Sequence, residues 1–471
     1  MTGRRSAGWR LTSRTLARVL GMGFLLLTGS CRSPDTPDPA LAREIDAFID
    51  PYLTASSFSG TLLLAREDTI LHHEGYGFAD AERSIPNTPE TKYQIASVSK
   101  SFTAAAVLLL EEQERLALDD PISRFLPEFP NGERITIEHL LTHTSGLARY
   151  VFQSDYAERS RRFHTTRDLV DWAASLPPSA APGERYAYSN ANYAVLAFII
   201  ERVSGMTFEG YLADAILEPL GLRDTGHRAG EVPSEAGVAR GHDLVGLDGL
   251  RPARPYDYSV ATGSGSLYST TGDLLRWIRS RTAGDLLADS TQARLAAETG
   301  SPLGYAWERA EHVGRDAVTL TGWDGVGFGV RLLHFPDDST TVIVLGNLNV
   351  SSIAGEIADG VASIAFGEPY ERLALIDRPA LNVETLGRDI AGVYRFGSDF
   401  YVPGAEMDVI ERGGQLVLPA EPPAPEGGLL PLADGSFIHR QQWFRVSFER
   451  DTTGVVTAMV YDRFRATKVP N

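Results

Sequence analysis

The chain contains three lysines, and one of them, Lys100, follows Ser97 by three residues. Arginine effectively never loses its proton, whereas a lysine whose pKa is lowered by its surroundings can act as a base. If a helix begins near Ser97, the two side chains lie on one face and the hydroxyl can meet the amine. This spacing predicts a nucleophilic serine with its own base. The first amides of the helix, including that of Ser97, would stabilise charge on an attacked carbonyl oxygen. The alternative is that Ser97 caps the helix and Lys100 is a solvated residue of its first turn.

A second polar group, Tyr188 and Asn190, directly precedes an apolar segment at residues 191–203 that is typical of a buried helix. A phenol at Tyr188 could transfer a proton, and the amide of Asn190 could bind a substrate amide. The alternative for Asn190 is a purely structural role as the N-cap of that helix.

Strand patterns lie near both ends of the first 370 residues. Residues 58–77 contain two apolar runs around a polar turn, which indicates a hairpin. Three further runs lie within 317–345 and are followed by a helical segment at 352–365, while residues 90–315 are mostly helix and loop. The economical arrangement is one sheet, completed by strands from both ends around a helical insertion.

The last ninety residues have a different pattern. Short alternating segments are separated by glycine-containing turns, and Phe444, Val446 and Phe448 alternate as in a half-buried strand. Residues 380–471 are therefore predicted to form a small all-β domain, a barrel or a sandwich, which acts as a packing module. Residues 45–368 are predicted to form the larger α/β (α+β) domain.

The amino-terminal segment is predicted to be an export signal. Residues 1–30 contain five arginines and no acid, with an apolar run at 19–27 that is too short to span a bilayer. The chain's one cysteine, Cys31, follows in a context that resembles the lipobox of bacterial lipoproteins, and residues 31–44 would be a tether. The alternative is a simple cleaved signal, with Cys31 removed or left as a free thiol.

The composition excludes several classes of protein. Hydrophobic residues make up 43% of the chain and charged residues 22%, which argues against a disordered chain or a multi-span membrane protein. The net charge of −17 would repel a phosphate backbone, so nucleic acid is not an expected partner. His139 and His143 have the spacing of a helical zinc pair, but Leu140 stands where a metalloprotease needs its glutamate, so no metal is expected.

Three stretches, taken together with Ser97, Lys100, Tyr188 and Asn190, carry a family resemblance. They are residues 93–103 (Tyr-Gln-Ile-Ala-Ser-Val-Ser-Lys-Ser-Phe-Thr), 140–147 (Leu-Leu-Thr-His-Thr-Ser-Gly-Leu) and 263–274 (Gly-Ser-Gly-Ser-Leu-Tyr-Ser-Thr-Thr-Gly-Asp-Leu). In type and order they resemble the serine β-lactamase and penicillin-binding protein superfamily. The branch is that of class C β-lactamases, D-Ala-D-Ala carboxypeptidases, D-aminopeptidases and related esterases. The resemblance implies a β-lactamase/transpeptidase-like antiparallel sheet flanked by helices, with a helical subdomain.

The resemblance also implies roles for individual residues. Ser97 would be acylated, Lys100 would activate it, Tyr188 would serve as proton shuttle or base, and Asn190 would bind the substrate amide. No cofactor is implied.

The third motif of the family is altered in this chain. Family members place Lys-Thr-Gly or His-x-Gly on a strand beside the serine, and the matching residues here are Leu320, Thr321 and Gly322. Thr321 and Gly322 would contact substrate, and the amide of Trp323 would join that of Ser97 in the oxyanion hole. Leu320 cannot supply the usual positive charge, which makes a neutral ester or amide relatively more attractive as substrate.

The expected protein is therefore an exported serine hydrolase, a periplasmic or cell-envelope lipoprotein. It would act through an acyl-enzyme on an amide, ester or lactam, with an ester, a D-amino-acid peptide or a lactam as substrate. It would touch the membrane only through its lipid anchor. The alternative is a catalytically inactive penicillin-binding-like protein that binds cell-wall peptides.

Overall fold

The computed structural model describes residues 38–233, 237–247, 249–295, 302–376, 389–419 and 427–470. The predicted signal at 1–30, Cys31 and the first part of the tether lie outside these residues. Helix α1 (Pro39–Thr54) begins within the segment predicted as tether. The Asp38 side chain accepts a hydrogen bond from Ala40 N, and Pro39 occupies the first helical turn, which together favour a helix start there.

A six-stranded antiparallel sheet forms the centre of the larger domain. Its order is β10-β11-β12-β13-β1-β2. The strands of this domain are β1 (Gly60–Arg66), β2 (Thr69–Tyr76), β3 (Phe78–Asp80), β4 (Ile85–Pro86), β5 (Tyr93–Gln94), β6 (Gly226–His227), β7 (His242–Val245), β8 (Gly249–Pro252), β9 (Leu267–Ser269), β10 (Glu308–His312), β11 (Arg315–Trp323), β12 (Gly329–Phe335) and β13 (Thr340–Gly346). Strand β1 pairs with β13, with Leu63 opposite Ile343. The prediction that both ends of this region complete one sheet is confirmed.

Helices cover both faces of this sheet and form the helical subdomain beside it. They are α1, α2 (Ser99–Glu112), α3 (Ile137–Leu141), α4 (Tyr156–Arg159), α5 (Thr166–Ser175), α6 (Asn190–Ser204), α7 (Phe208–Leu212), α8 (Thr271–Ala283), α9 (Asp289–Leu295) and α10 (Ile353–Phe366). None of the helices in the described ranges is long and apolar enough to cross a membrane.

Two hydrophobic cores lie on opposite faces of the sheet because successive strand residues point to opposite sides. On one face, Leu62 packs in a cluster with Ile49 of α1 and Ile357 of α10. On the other face, Leu63 packs in a cluster with Phe102 of α2, and this core also includes α6 and α8. Helix α2, which follows Ser97, is therefore held between the sheet and the helical subdomain.

The C-terminal domain is a closed barrel. Its strands are β14 (Gly392–Phe396), β15 (Glu406–Arg412), β16 (Gln415–Leu418), β17 (Gly427–Pro431), β18 (Phe437–His439), β19 (Phe444–Arg450), β20 (Val456–Tyr461) and β21 (Phe464–Lys468). Pairing of β21 with β14 closes the barrel and removes the free sheet edges. Of the two predicted forms, barrel or sandwich, the structure is the barrel.

The barrel packs on α1 and α10, which cover the sheet face opposite α2. Ile438 and Trp443 join the core that contains these two helices. The ring of Trp443 lies 5.5 Å from that of Tyr52. Between the domains, the side chain of Arg440 is 0% exposed. The all-β domain is thus in direct contact with the α+β domain.

Candidate active site

Ser97 lies in a tight turn that leads directly into α2. The 3₁₀ turn spans Ala96–Val98, and the α-helix begins at Ser99, as the spacing of Ser97 and Lys100 requires. Ala96 has φ of +45°, in the left-handed region that non-glycine residues rarely adopt. Such strain is frequently found where a side chain must be presented to a ligand. Ser97 is partly exposed at this point.

Lys100 is buried beneath Ser97. Its side chain is 2% exposed, and Nζ donates hydrogen bonds to Ser97 Oγ at 3.1 Å and to the Ser264 carbonyl at 2.7 Å. Burial lowers the pKa of Lys100 below its ordinary value, and the Tyr188 phenol only partly offsets this effect. Lys100 is therefore not a solvated first-turn residue. Its surroundings favour the neutral amine, the form that can accept a proton.

Tyr188 completes a group of three side chains. Its hydroxyl lies 2.8 Å from Ser97 Oγ, and its ring centroid lies 5.0 Å from Lys100 Nζ. These contacts join residues that are separated by 91 positions in the chain. The hydroxyl, the amine and the phenol are consequently within proton-transfer distance of one another.

Asn190 is the first residue of α6 and not its N-cap. Ser189 has the extended cap conformation, and its side chain accepts a hydrogen bond from Ala191 N. The N-cap alternative for Asn190 is therefore wrong. Asn190 Oδ1 is a buried acceptor without a hydrogen-bond partner among the described residues. Such an atom is costly to leave unpaired, and a substrate N–H donor would satisfy it.

His143 and Asn192 support the turn that carries Tyr188. His143 Nδ1 accepts hydrogen bonds from Ser189 N at 3.2 Å and from Asn192 Nδ2 at 2.9 Å. The imidazole lies 4.4 Å from the Tyr188 ring. Burial, with a contribution from Lys100, lowers the pKa of His143 well below its ordinary value, which favours a neutral ring. In the sequence, His143 stood out only through its spacing from His139. The one signal for Asn192 was a second asparagine near the start of an apolar helix.

His139 and His143, which have the sequence spacing of a zinc pair, have separate hydrogen-bond partners. His139 Nδ1 accepts a hydrogen bond from Thr136 N and closes a capping box at the start of α3. Over the described residues, no group of three or more His, Cys, Asp or Glu side chains could hold a metal ion.

Strand β11 brings Gly322 against the turn of Ser97. A Cβ atom at Gly322 would lie 2.6 Å from the Ile95 carbonyl oxygen and 3.2 Å from Ser97 N. Leu320, on the same face of the strand, is 3% exposed and belongs to the core beside α2. Trp323 follows Gly322 with its side chain 44% exposed. The backbone of Gly322 is thus packed against the turn that carries Ser97, and Trp323 is the next residue of the strand.

The structure does not place the Thr321 hydroxyl with the side chains of Ser97, Lys100 and Tyr188. Thr321 lies on the opposite face of β11 from Leu320 and Gly322, and its hydroxyl accepts a hydrogen bond from Arg331 at 2.8 Å. Of the residues predicted from the third motif, Gly322 lies against Ser97, whereas the side chain of Thr321 is directed elsewhere.

Substitution of Gly322 by alanine is expected to disrupt the site. The added methyl group would clash with the Ile95 carbonyl, so β11 would have to move away from Ser97. If this displaces an oxyanion donor, the acylation rate should fall about 10²- to 10³-fold. The control is Gly272→Ala, because there the added atom would meet only Thr270 Oγ1 at 3.9 Å. Equal acylation rates in the two variants would contradict this account of β11.

Comparison with known proteins places the chain in a family. The β-lactamase family model matches residues 45–366. The chain is 33% identical over 247 residues to the putative penicillin-binding protein PbpX of Bacillus subtilis (strain 168), a match that covers 52% of this chain and 61% of that protein. It is 29% identical over 355 residues to penicillin-binding protein 4* of the same organism, covering 69% of this chain and 75% of the relative.

Solved structures show the same fold. The octameric penicillin-binding protein homologue from Pyrococcus abyssi superposes with a TM-score of 0.62 and 24% identity, covering 90% of this chain and 99% of the other. The D-amino acid amidase of Ochrobactrum anthropi SV3 gives a TM-score of 0.61 and 21% identity, covering 70% of this chain and 99% of the amidase. Since the family model spans more than half of the residues, the chain belongs to the β-lactamase family.

Proposed function

We propose that this protein is an exported serine hydrolase that forms an acyl-enzyme at Ser97 with an amide, ester or lactam substrate. One observation carries the proposal. Ser97 Oγ is within hydrogen-bond distance of both a buried lysine amine, Lys100, and a phenol, Tyr188. A serine hydroxyl is a weak nucleophile, and an adjacent base is what activates it.

In the first half-reaction, Ser97 Oγ attacks the carbonyl carbon while its proton passes to neutral Lys100, directly or through the Tyr188 hydroxyl. The carbonyl π electrons move onto oxygen, and the amides of Ser97 and Trp323 stabilise this negative charge. The Asn190 Oδ1 acceptor receives a substrate N–H. Collapse of the intermediate breaks the bond to the leaving nitrogen or oxygen, which takes the proton from Lys100 or Tyr188.

In the second half-reaction, water attacks the ester at Ser97. Tyr188 or Lys100 accepts the proton of this water and returns one to Ser97 Oγ as the acid product leaves. Leu320 takes no part in these proton transfers because its side chain is apolar and buried. The change at this position therefore concerns recognition of the substrate and leaves the nucleophile and base in place.

Covalent labelling tests this proposal directly. A phosphonate probe should add to Ser97, as located by peptide mass spectrometry, and Ser97→Ala should abolish the adduct. Ser123→Ala is the control, since Ser123 is a partly exposed serine in a separate turn. Undiminished labelling of the Ser97→Ala protein would reject the proposal.

The second candidate is a silent protein that binds cell-wall peptides, and the observation in its favour is the apolar Leu320. If this candidate is correct, the protein binds esters, D-peptides or lactams but hydrolyses none of them. Hydrolysis of any of them by the purified protein, lost in Lys100→Ala, would exclude it.

Export and lipid anchoring are part of the proposal and rest on residues 1–31. If Cys31 is acylated, the full chain should partition into the detergent phase and into the membrane fraction of the cell. Cys31→Ser should move it to the aqueous phase, since a lipid chain supplies about 0.8 kcal/mol of membrane affinity per buried methylene group. The N-terminal peptide should carry the corresponding added mass. Unchanged partitioning of Cys31→Ser would contradict the anchor.

A further inference from the structure

The mouth of the site contains a positive charge that the third motif did not predict. Arg149 is exposed, and its Cζ atom lies 4.1 Å from the ring centroid of Phe152 and 5.9 Å from that of Tyr188. The Tyr188 hydroxyl is itself hydrogen-bonded to Ser97. The guanidinium is therefore next to the side chain that contacts the nucleophile.

Both chain neighbours of Arg149 are anchored, one through its backbone and the other through its side chain. Ser189 Oγ donates a hydrogen bond to the Ala148 carbonyl at 2.8 Å, and the Tyr150 hydroxyl donates to the Val260 carbonyl at 3.2 Å. Because both neighbours are tied to the framework of the site, the chain presents the arginine at a defined position. Phe152, 69% exposed, provides the surface on which the guanidinium stacks.

The charge of Arg149 is not neutralised by a carboxylate within the described parts of the chain. Arg159 is a useful contrast, since it stacks on Trp172 at 4.5 Å but is also paired with Asp155 at 2.6 Å. A stacked guanidinium keeps its hydrogen-bonding edge available for a planar anion. In a protein with a net charge of −17, such a group provides local attraction where the overall field repels anions.

We propose that Arg149 binds an anionic group of the substrate and gives the site a preference for carboxylate-bearing substrates. This inference rests on the proposed function and deepens it. The positive charge that Leu320 cannot provide would enter from a different segment of the chain, on the Tyr188 side of Ser97. The preferred substrate would carry a carboxylate on either the acyl part or the leaving group.

The test uses two matched pairs of esters. The first pair is the mono-nitrophenyl ester of glutaric acid and the same compound with its carboxylate methylated. The second pair is the phenylacetyl ester of glycolic acid and that of glycolamide. For each pair, the ratio of kcat/KM for the anion to that for the neutral compound is measured. Where turnover is slow, the same ratio is obtained from competition against probe labelling of Ser97.

In at least one pair, the ratio should favour the anion by about tenfold, as expected for one charge-assisted hydrogen bond at an exposed site. Arg149→Ala should bring this ratio close to one, and Arg149→Lys should keep part of it because the charge remains. Arg159→Ala should leave the ratio unchanged. High salt should reduce the wild-type preference.

Two results would overturn the inference. If the ratios in both pairs are the same for wild type and Arg149→Ala, Arg149 does not bind the anion, although the hydrolase function stands. If none of the four esters reacts or competes and no adduct forms at Ser97, the proposed function fails, and the inference fails with it.

Discussion

Replacement of Lys100 by arginine is expected to lower the acylation rate of Ser97 by about 10²- to 10⁴-fold, the range typical of a lost general base. Arginine keeps a positive charge but does not give up its proton, so it cannot accept the proton of Ser97 Oγ. The larger guanidinium must also occupy a site whose present amine is fully enclosed and bonded to Ser97 Oγ and the Ser264 carbonyl. The rate is measured as the second-order rate constant for phosphonate labelling.

The matched control is Lys92→Arg. Lys92 is half-buried and paired with Asp224 at 3.0 Å, a contact that arginine can also make, so labelling should stay within about twofold of wild type. If Lys100→Arg and Lys92→Arg react at the same rate, the base must be sought elsewhere in the site.

The pH dependence of the wild type provides a second measurement of the same group. Burial lowers the pKa of Lys100 from its ordinary 10.5, so the amine loses its proton at a lower pH than a free lysine does. Below that lowered pKa the amine is protonated and cannot accept a proton, so kcat/KM should fall as pH decreases through it. The acid limb should be absent from the residual activity of Lys100→Arg. An acid limb that persists unchanged in this variant would assign it to another group.

Truncation of Arg440 to alanine is expected to lower the free energy of unfolding by about 3 to 5 kcal/mol, because several acceptors packed around a fully buried guanidinium lose a charged donor at once. The guanidinium is fully buried and donates to the carbonyl oxygens of Ser56 at 2.6 Å and Gly246 at 3.0 Å, and to Ser57 Oγ at 3.3 Å. It thus joins the barrel to two separate segments of the α+β domain. Denaturant unfolding, followed by tryptophan fluorescence, measures the loss.

Arg445→Ala is the control for this second prediction. Arg445 also lies on the barrel, but its side chain is partly exposed and forms surface ion pairs with Asp434 and Glu371. Exposed ion pairs contribute only about 0 to 1 kcal/mol, so this variant should unfold close to wild type. Equal stability of the two variants would show that Arg440 does not hold the domains together.

The local parts of this molecule were predictable from the sequence. Period-two alternation and apolar runs located β1, β11, β12 and β13, since one side of a strand must be buried. The proximity of the Ser97 and Lys100 side chains was also predictable from local geometry. Residues three apart on a helix share a face whatever surrounds them. The scarcity of lysine made this pair stand out against a background of arginine.

Contacts between segments far apart in the chain could not be predicted from local sequence patterns. Nothing near Ser97 in the chain indicates that Tyr188 will meet it, or that the Ser264 carbonyl will bind Lys100, since both depend on how α6 and the segment before β9 pack on α2. Whether Lys100 faced solvent or the core could not be read locally, because burial is a property of the assembled domain.

Tertiary packing also decided the N-cap of α6 and the form of the C-terminal domain. Ser189 and Asn190 are both good N-cap residues, and the anchoring of Ser189 to Ala148 selected the first of them. Alternating strands are compatible with a barrel or a sandwich, and only the pairing of β21 with β14 distinguishes the two. Short-range periodicity determines the secondary structure and the proximity of Ser97 to Lys100. The burial that shifts a pKa and the meeting of residues far apart in the chain arise only from tertiary packing.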